Sequence, residues 1–350
     1  MSDAATQPAR KTLLLLTVDT ESSMAGLRPL PPEAMVYGRV AGGTWGIERI
    51  MDCCEARGVK ATFFVSTLEE LHHGREHVGR MCATILDRGH DVQVHLHPNW
   101  WKGDFARKRL TDYSLAEQTE LVGLARDAYR RACGCEPVAH RAGGLLINAD
   151  TLRALEANGI RVDSSVAPGH IAYALGAGVE PPNVPRRLGG VAELPVTTFA
   201  QVRLGAWAPR RHLDVNADSL SELQFVVNSA VEQGVAAVCL LMHSFSFLRR
   251  NQDGTAFSPA AAELRRFERF LDFAAAHDGV EVVTVREMAG RLAADPGLLT
   301  GPDFDPTAGL CRTYARSWER FGTGWKSKAL ALGLPALAAL TIGAIWWLTS

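Results

Sequence analysis

Two rhythms of apolar and polar positions alternate along the chain. Thr12 to Val18 is an almost unbroken apolar run of strand length, followed at once by Asp19, Thr20 and Glu21. Ile47, Ile50, Met51 and Cys54 then keep helical spacing up to Gly58. Further strands are predicted over 61–65 (ATFFV), 91–97, 137–142, 160–163, 237–242 (AVCLLM) and 280–284 (VEVVT). Between them Val78, Met81, Cys82, Ile85 and Leu86 mark a helix closed by Gly89, and Leu152 and Leu155 lie on another. Ser114 with Glu117 is a capping box that opens a helix through Leu121, Leu124, Ala125 and Ala128. A long helix is predicted over 259–277. This alternation specifies a parallel sheet with crossover helices, and the number of repeats favours a closed α/β barrel.

The expected organisation is a disordered N-terminus over 1–11, a (β/α) barrel over 12–294, a linker over 295–328 and a transmembrane helix over 329–348. Residues 169–215, rich in Gly, Pro and Arg, look like a long insertion over one face. Leu13 to Leu16 are too short an apolar run for a secretory signal. Ala329 to Leu348 carries no charge, and about 20 such residues span a bilayer core. Trp346 and Trp347 suit an interfacial belt, and Arg312, Arg316, Arg320, Lys326 and Lys328 precede the segment. The positive-inside rule then predicts a single-pass protein of the cytoplasmic membrane with its catalytic domain in the cytoplasm.

Composition narrows the function. Lys and Arg number 37 against 38 Asp and Glu, for a net charge of −1, so there is no basic excess for a nucleic-acid partner. With 47% hydrophobic residues the chain can bury a core and is no acidic disordered protein. The seven cysteines are scattered with no C-x-x-C pair, which argues against a disulfide framework or a structural zinc knuckle.

The candidate chemistry sits at the carboxyl ends of predicted strands, where parallel α/β barrels build their sites. The first strand ends in Thr17-Val-Asp19-Thr-Glu21, the third in His95-Leu-His97-Pro98, a middle one in His140-Arg141-Ala-Gly143-Gly144, and a late one in Leu241-Met-His243-Ser244. Alternate strand residues share a face, so Asp19 pairs with Glu21 and His95 with His97. Two imidazoles and a carboxylate suit Zn²⁺ or a similar divalent ion with an open position for water. A second carboxylate would be the general base, and His243 could protonate a leaving amine. Each feature alone has a bland reading: a solvated D-x-E turn, a surface H-x-H, a salt-bridging Arg141, a core His243. Their convergence on one set of strand ends is what favours chemistry. His72, His73 and His77 read as solvated. Trp100 and Trp101 suit a sugar-stacking wall or simple packing equally well.

In this order the motifs TVDTE, GVKATFFV, GHDVQVHLHP, HRAGG, VDSSV and LLMHS resemble those of the polysaccharide deacetylases, carbohydrate esterase family 4, over roughly 12–290. The resemblance implies a distorted (β/α) barrel and a divalent-metal-dependent hydrolase that removes N-acetyl, and sometimes O-acetyl or N-formyl, groups from sugars. It implies Asp19 as general base, Glu21 and His95 as metal ligands, Arg141 as the residue that holds and tunes the base, and His243 as general acid. Three departures stand out. The family's second metal histidine falls at Asn99, so His97 is substituted for it. The Arg-x-Pro-Tyr motif is replaced by Arg141-Ala-Gly143-Gly144, leaving a Gly143 or Gly144 N–H for the oxyanion. The aspartate-tryptophan motif is absent, with Asp163 as a candidate supporting residue.

The expected substrate is an N-acylated amino sugar of a polysaccharide precursor, lipid-linked if the membrane segment confines the enzyme to one leaflet. Two other readings remain: a barrel amidohydrolase of another type, and a catalytically silent sugar-binding protein.

Overall fold

Strand β1 (Thr12–Thr20) is buried at every position and is the hub of the structure. The structure is a computed structural model that describes residues 10–22, 31–40, 42–103, 107–169, 173–251 and 256–320, with 328–329 and 332–333. The other sheet strands are β2 (Thr62–Ser66), β3 (Asp91–Leu96), β4 (Ala139–Ala142), β5 (Val162–Asp163), β6 (Arg186–Leu188), β7 (Val191–Glu193), β8 (Ala237–His243) and β9 (Val280–Val283). On one side β1 pairs in parallel with β8. On the other it pairs with β9 along its first half and with β2 along its second. From β2 the ladder continues through β3, β4, β5 and β7, and ends on β6, which is antiparallel to β7.

Period-two alternation sorts these strands into two cores. Leu13, Leu15, Phe64, Ala139, Val162, Ala237, Cys239, Leu241 and Val283 gather inside the curved sheet. Leu14, Leu16, Val18, Phe63, Val65, Val92, Val94, Leu240 and Met242 belong to the larger outer cluster, together with the apolar faces of the crossover helices. Those helices are α1 (Ile47–Glu55), α2 (Arg75–Leu86), α3 (Leu115–Cys133), α4 (Ala149–Ala157), α5 (Leu220–Glu232) and α6 (Ala261–Ala276). Capping boxes at Ser114, Asn148 and Ser219 start α3, α4 and α5 by satisfying backbone N–H groups of the first turn. Truncating a fully buried ring such as Phe63 or Phe64 to Ala would cost about 3–5 kcal/mol. Helix α7 (Val285–Ala294) inserts Val285, Met288 and Leu292 into the inner cluster beside Leu13, closing the end opposite the polar strand termini.

The closed barrel expected from the repeat number is corrected to a distorted half-barrel. The ladder stops at β8 on one side and at β6 on the other. The gap is crossed by isolated bonds: Thr197 N–H donates to Cys239 O (3.0 Å), Leu213 N–H to Thr197 O (2.7 Å), and Leu241 N–H to Leu213 O (2.9 Å). Residues 169–215 supply β6, β7 and a short hairpin, Thr198–Ala200 against Arg210–His212, rather than only a surface insertion. Beyond the barrel, helix α8 (Leu310–Glu319) packs on α5, where Arg316 meets the buried Glu222 at 2.7 Å.

Among the described residues no helix is long and apolar enough to cross a membrane. A span needs an unbroken helix of about 20 residues. Of the 329–348 stretch only Ala329, Leu332 and Gly333 are described, in pairs of helical residues. The remainder lies outside the described residues. The expected transmembrane helix, the membrane as partner and the single-pass location at the cytoplasmic membrane are corrected accordingly. An uncharged run in the sequence is not by itself a span.

Candidate active site

Strand register alone brings four of the expected residues to one rim. Asp19 lies beside His243 across β1 and β8, and His95 beside Arg141 across β3 and β4. The inward column of β1 changes from Leu13 and Leu15 to Thr17 and Asp19, and Glu21 follows at the strand end. The inner core therefore gives way to a polar layer just below the rim.

Arg141 fills that layer. It is fully buried, and its guanidinium donates to Asp19 Oδ1 (2.8 Å), Thr17 Oγ1 (2.9 Å), Ser164 O (2.8 Å) and Ser164 Oγ (2.7 Å). Its carbon also sits 4.2 Å from the centre of the Phe64 ring, a cation–π contact. Burial pushes the Asp19 carboxyl up. Arg141, then His95 and His243, outweigh that and hold it below the usual carboxylate range. Thr17 and Ser164 were not expected at the site; the VDSSV segment marks Ser164 only once the fold shows it turning inward.

Above this layer Glu21, His95 and His97 converge. The Nε2 atoms of the two imidazoles are 3.1 Å apart, and Glu21 Oε2 lies 2.6 Å from His97 Nε2 and 3.9 Å from His95 Nε2. His95 Nδ1 is 3.0 Å from the carbonyl of Arg141. A carbonyl only accepts, so that nitrogen carries the proton and Nε2 presents its lone pair to the cluster. Burial drives His95 down to about 4, against the pull of Asp19, so it is neutral near pH 7. For His97 burial acts in the same sense but the Glu21 carboxylate overrides it and raises the pKa; in return His97 outweighs the burial of Glu21 and lowers its pKa. Glu21 Oε2 is buried, and His97 Nε2 is its closest polar neighbour. Two imidazole nitrogens and a buried carboxylate oxygen in mutual reach are a donor set that fits a metal ion.

The other candidates are placed as follows. Gly143 lies against the His97 ring, where a β-carbon would come within 2.5 Å of Nδ1. Gly144 has φ +67°, and Leu145 after it has φ +56°, so the turn beside the site is held in the left-handed region. His243 stacks on Phe245, with ring centres 4.9 Å apart. Asp163 is not brought to the site. It bonds His140 Nδ1 at 2.7 Å on the opposite face of the sheet, next to the buried Glu193. Trp100 and Trp101 are buried, and Trp100 packs against His72 and His73, so neither forms an open sugar-stacking wall. His77, expected to be solvated, is also buried.

No curated protein sequence matches the chain. Residues 41–162 match the polysaccharide deacetylase family. Among solved structures, a candidate polysaccharide deacetylase from Mycobacterium smegmatis superposes with TM-score 0.54 at 17% identity, over 84% of this chain and 94% of that one. A 4-alpha-glucanotransferase from Thermococcus litoralis superposes with TM-score 0.52 at 11% identity, over 81% of this chain and 40% of the other. At these identities the likeness is one of fold. Over residues 41–162 in sequence, and in its half-barrel fold, the chain has a family-level match to the polysaccharide deacetylases.

Proposed function

We propose that the protein is a metal-dependent hydrolase that removes an N-acyl group, acetyl or formyl, from an amino sugar of a saccharide or saccharide precursor. The observation that carries this reading is the convergence of Glu21, His95 and His97 within reach of the Arg141-bound Asp19. Glu21, His95 and His97 would hold a divalent ion, with Zn²⁺ the best match to two imidazoles and one carboxylate. Bound there, the ion supplies Lewis-acid polarisation of the acyl oxygen and lowers the pKa of water.

The chain's own residues do the rest. Asp19, kept ionised by Arg141, takes the proton from the attacking water. His243, beside Asp19 in the ladder, delivers a proton to the departing amine. Gly143 and Gly144 offer backbone N–H groups at the rim for the developing oxyanion. Arg141 is a positioning residue, since its guanidinium is consumed below the rim by Asp19, Thr17 and Ser164.

The test is release of acetate or formate from N-acylated amino sugars by the Zn²⁺-loaded protein, with Asp19→Asn as the diagnostic variant. Asp19→Asn is expected to lower kcat by about 10²–10⁴ while the protein retains Zn²⁺. Full activity of that variant, or a wild-type protein that binds no divalent metal, would overturn the reading.

A further inference from the structure

Glu69 is a buried carboxylate that the proposed chemistry leaves unused. It ends the single 3₁₀ turn Thr67–Glu69 that follows β2, and β2 stops at Ser66, the ladder neighbour of His95. Glu69 is fully buried, and among the described residues no Lys or Arg lies within salt-bridge distance of it. Its two oxygens accept from a single residue: Oε1 from Ser22 N–H at 2.7 Å and Oε2 from Ser22 Oγ–H at 2.8 Å. His77 Nε2, also buried and without a hydrogen-bond partner, points at Oε2 from 3.6 Å. Ser22 Oγ also meets His73 Nε2 at 3.0 Å. Ser22 directly follows Glu21, so this clamp fixes the backbone that presents the Glu21 carboxylate.

A buried charge needs a counter-charge. Around this rim the formal charges are Asp19, Glu21 and Glu69 on the negative side and Arg141 on the positive side. Negative charge outweighs positive there, which favours a cation held by Glu21, His95 and His97.

We propose that Glu69 is a positioning residue of the metal centre, clamping Ser22 so that Glu21 is preset as a ligand and adding negative charge beside a cation site. This rests on the metal-site reading above and assigns the site a residue outside its ligand set.

The test uses the full chain with Zn²⁺ alone as the probe. Affinity is measured by competition with a fluorescent chelator, and thermal stability is measured with and without metal. Glu69→Gln keeps the shape and can still accept from Ser22, but loses the charge. It is expected to weaken Zn²⁺ binding about 10- to 100-fold, the usual range for partners behind metal ligands. It is also expected to leave the metal-free Tm unchanged or raise it, because a buried carboxylate with no Lys or Arg in salt-bridge reach among the described residues is neutralised. Ser22→Ala, which removes the hydroxyl and keeps the backbone N–H, is expected to weaken Zn²⁺ binding by a smaller factor. A purely structural Glu69 would lower the metal-free Tm and leave the Zn²⁺ Kd unchanged, and that outcome overturns the proposal. Wild-type protein that binds no Zn²⁺ would overturn this inference and the metal-site reading together. Tight Zn²⁺ binding without deacylase activity would remove the proposed reaction and leave this inference standing.

Discussion

The imidazole of His97 occupies the space that a side chain at Gly143 would need. A β-carbon there would lie 2.5 Å from Nδ1 and 2.8 Å from Cγ of the ring, well inside van der Waals contact. The relationship explains why an H-x-H pair on β3 is accompanied by glycine just past the end of β4. Gly143→Ala is expected to force His97 away from Glu21 Oε2 and His95 Nε2, weakening Zn²⁺ binding by more than about tenfold and costing about 1–3 kcal/mol from overpacking. Chelator competition and chemical denaturation measure the two effects separately. An unaltered Zn²⁺ affinity would mean that His97 is not a ligand.

The C-terminal helix α8 makes a second testable contact. Arg316 donates to Glu222 Oε1 at 2.7 Å, and Glu222 is fully buried at the start of α5, where it also closes the Ser219 capping box. Arg316→Met would leave that carboxylate without its cation, at a cost of roughly 3–5 kcal/mol in urea denaturation. The double variant with Glu222→Gln should recover much of the loss, because an uncharged amide no longer needs the guanidinium. A single variant as stable as wild type would show that α8 does not hold α5.

Much of this arrangement was legible in the sequence because strands write their register in period two. Asp19 with Glu21 and His95 with His97 had to share faces, and the alternation of Leu13, Leu15 and Thr17 with Leu14, Leu16 and Val18 gave the inner and outer cores. What could not be read was how neighbouring ladders end. The opening between β7 and β8, bridged at Thr197 and Leu213, depends on non-local bonds that leave no periodicity. Asp163 lies away from the Glu21–His95–His97 cluster for a similar reason. Its carboxylate and the His140 ring face each other across adjacent strands, opposite to Arg141, and only the register of β4 with β5 reveals that. Glu69 was invisible because its partner Ser22 lies 47 residues away along the chain. The uncharged 329–348 run suggested a span because hydropathy reports composition, whereas no helix among the described residues is long and apolar enough for one.

His90 should give the fold an acid-sensitive element away from the rim. Its Nδ1 accepts from Ala61 N–H at 3.1 Å, and its Nε2 lies 3.2 Å from Glu55 Oε1. Burial, aided by Lys60, depresses its pKa to about 4 in spite of Glu55. Because the folded-state value lies below the unfolded value of about 6.5, the unfolded chain binds the extra proton first. The His90 contribution to stability is therefore present above pH 6.5 and is lost as pH falls toward 4. His90→Asn keeps an acceptor for Ala61 and cannot titrate. It is expected to be about 1 kcal/mol less stable at pH 7 and to lose stability less steeply between pH 6.5 and 4. Parallel stability curves for the two proteins across that window would refute the assignment.

Arg141 and Asp19 connect stability to the proposed catalysis. Arg141 holds Asp19 below the usual carboxylate range against the opposing effect of burial. Arg141→Met keeps much of the apolar stem but strands the Asp19 carboxylate in the barrel, so the folded state should lose about 3–5 kcal/mol at neutral pH. The sign of the pH response follows. Without the guanidinium the Asp19 pKa rises, and the acid limb of kcat/KM, which reports ionisation of the base in the free enzyme, moves to higher pH. Arg141→Lys restores a charge but only three donors from a point source, and cannot reproduce the bonds to Asp19, Thr17 and both Ser164 oxygens. It should fall between wild type and Arg141→Met in both measurements. A pH–rate profile unmoved by either substitution would separate Asp19 from the role of base, even if both variants were destabilised.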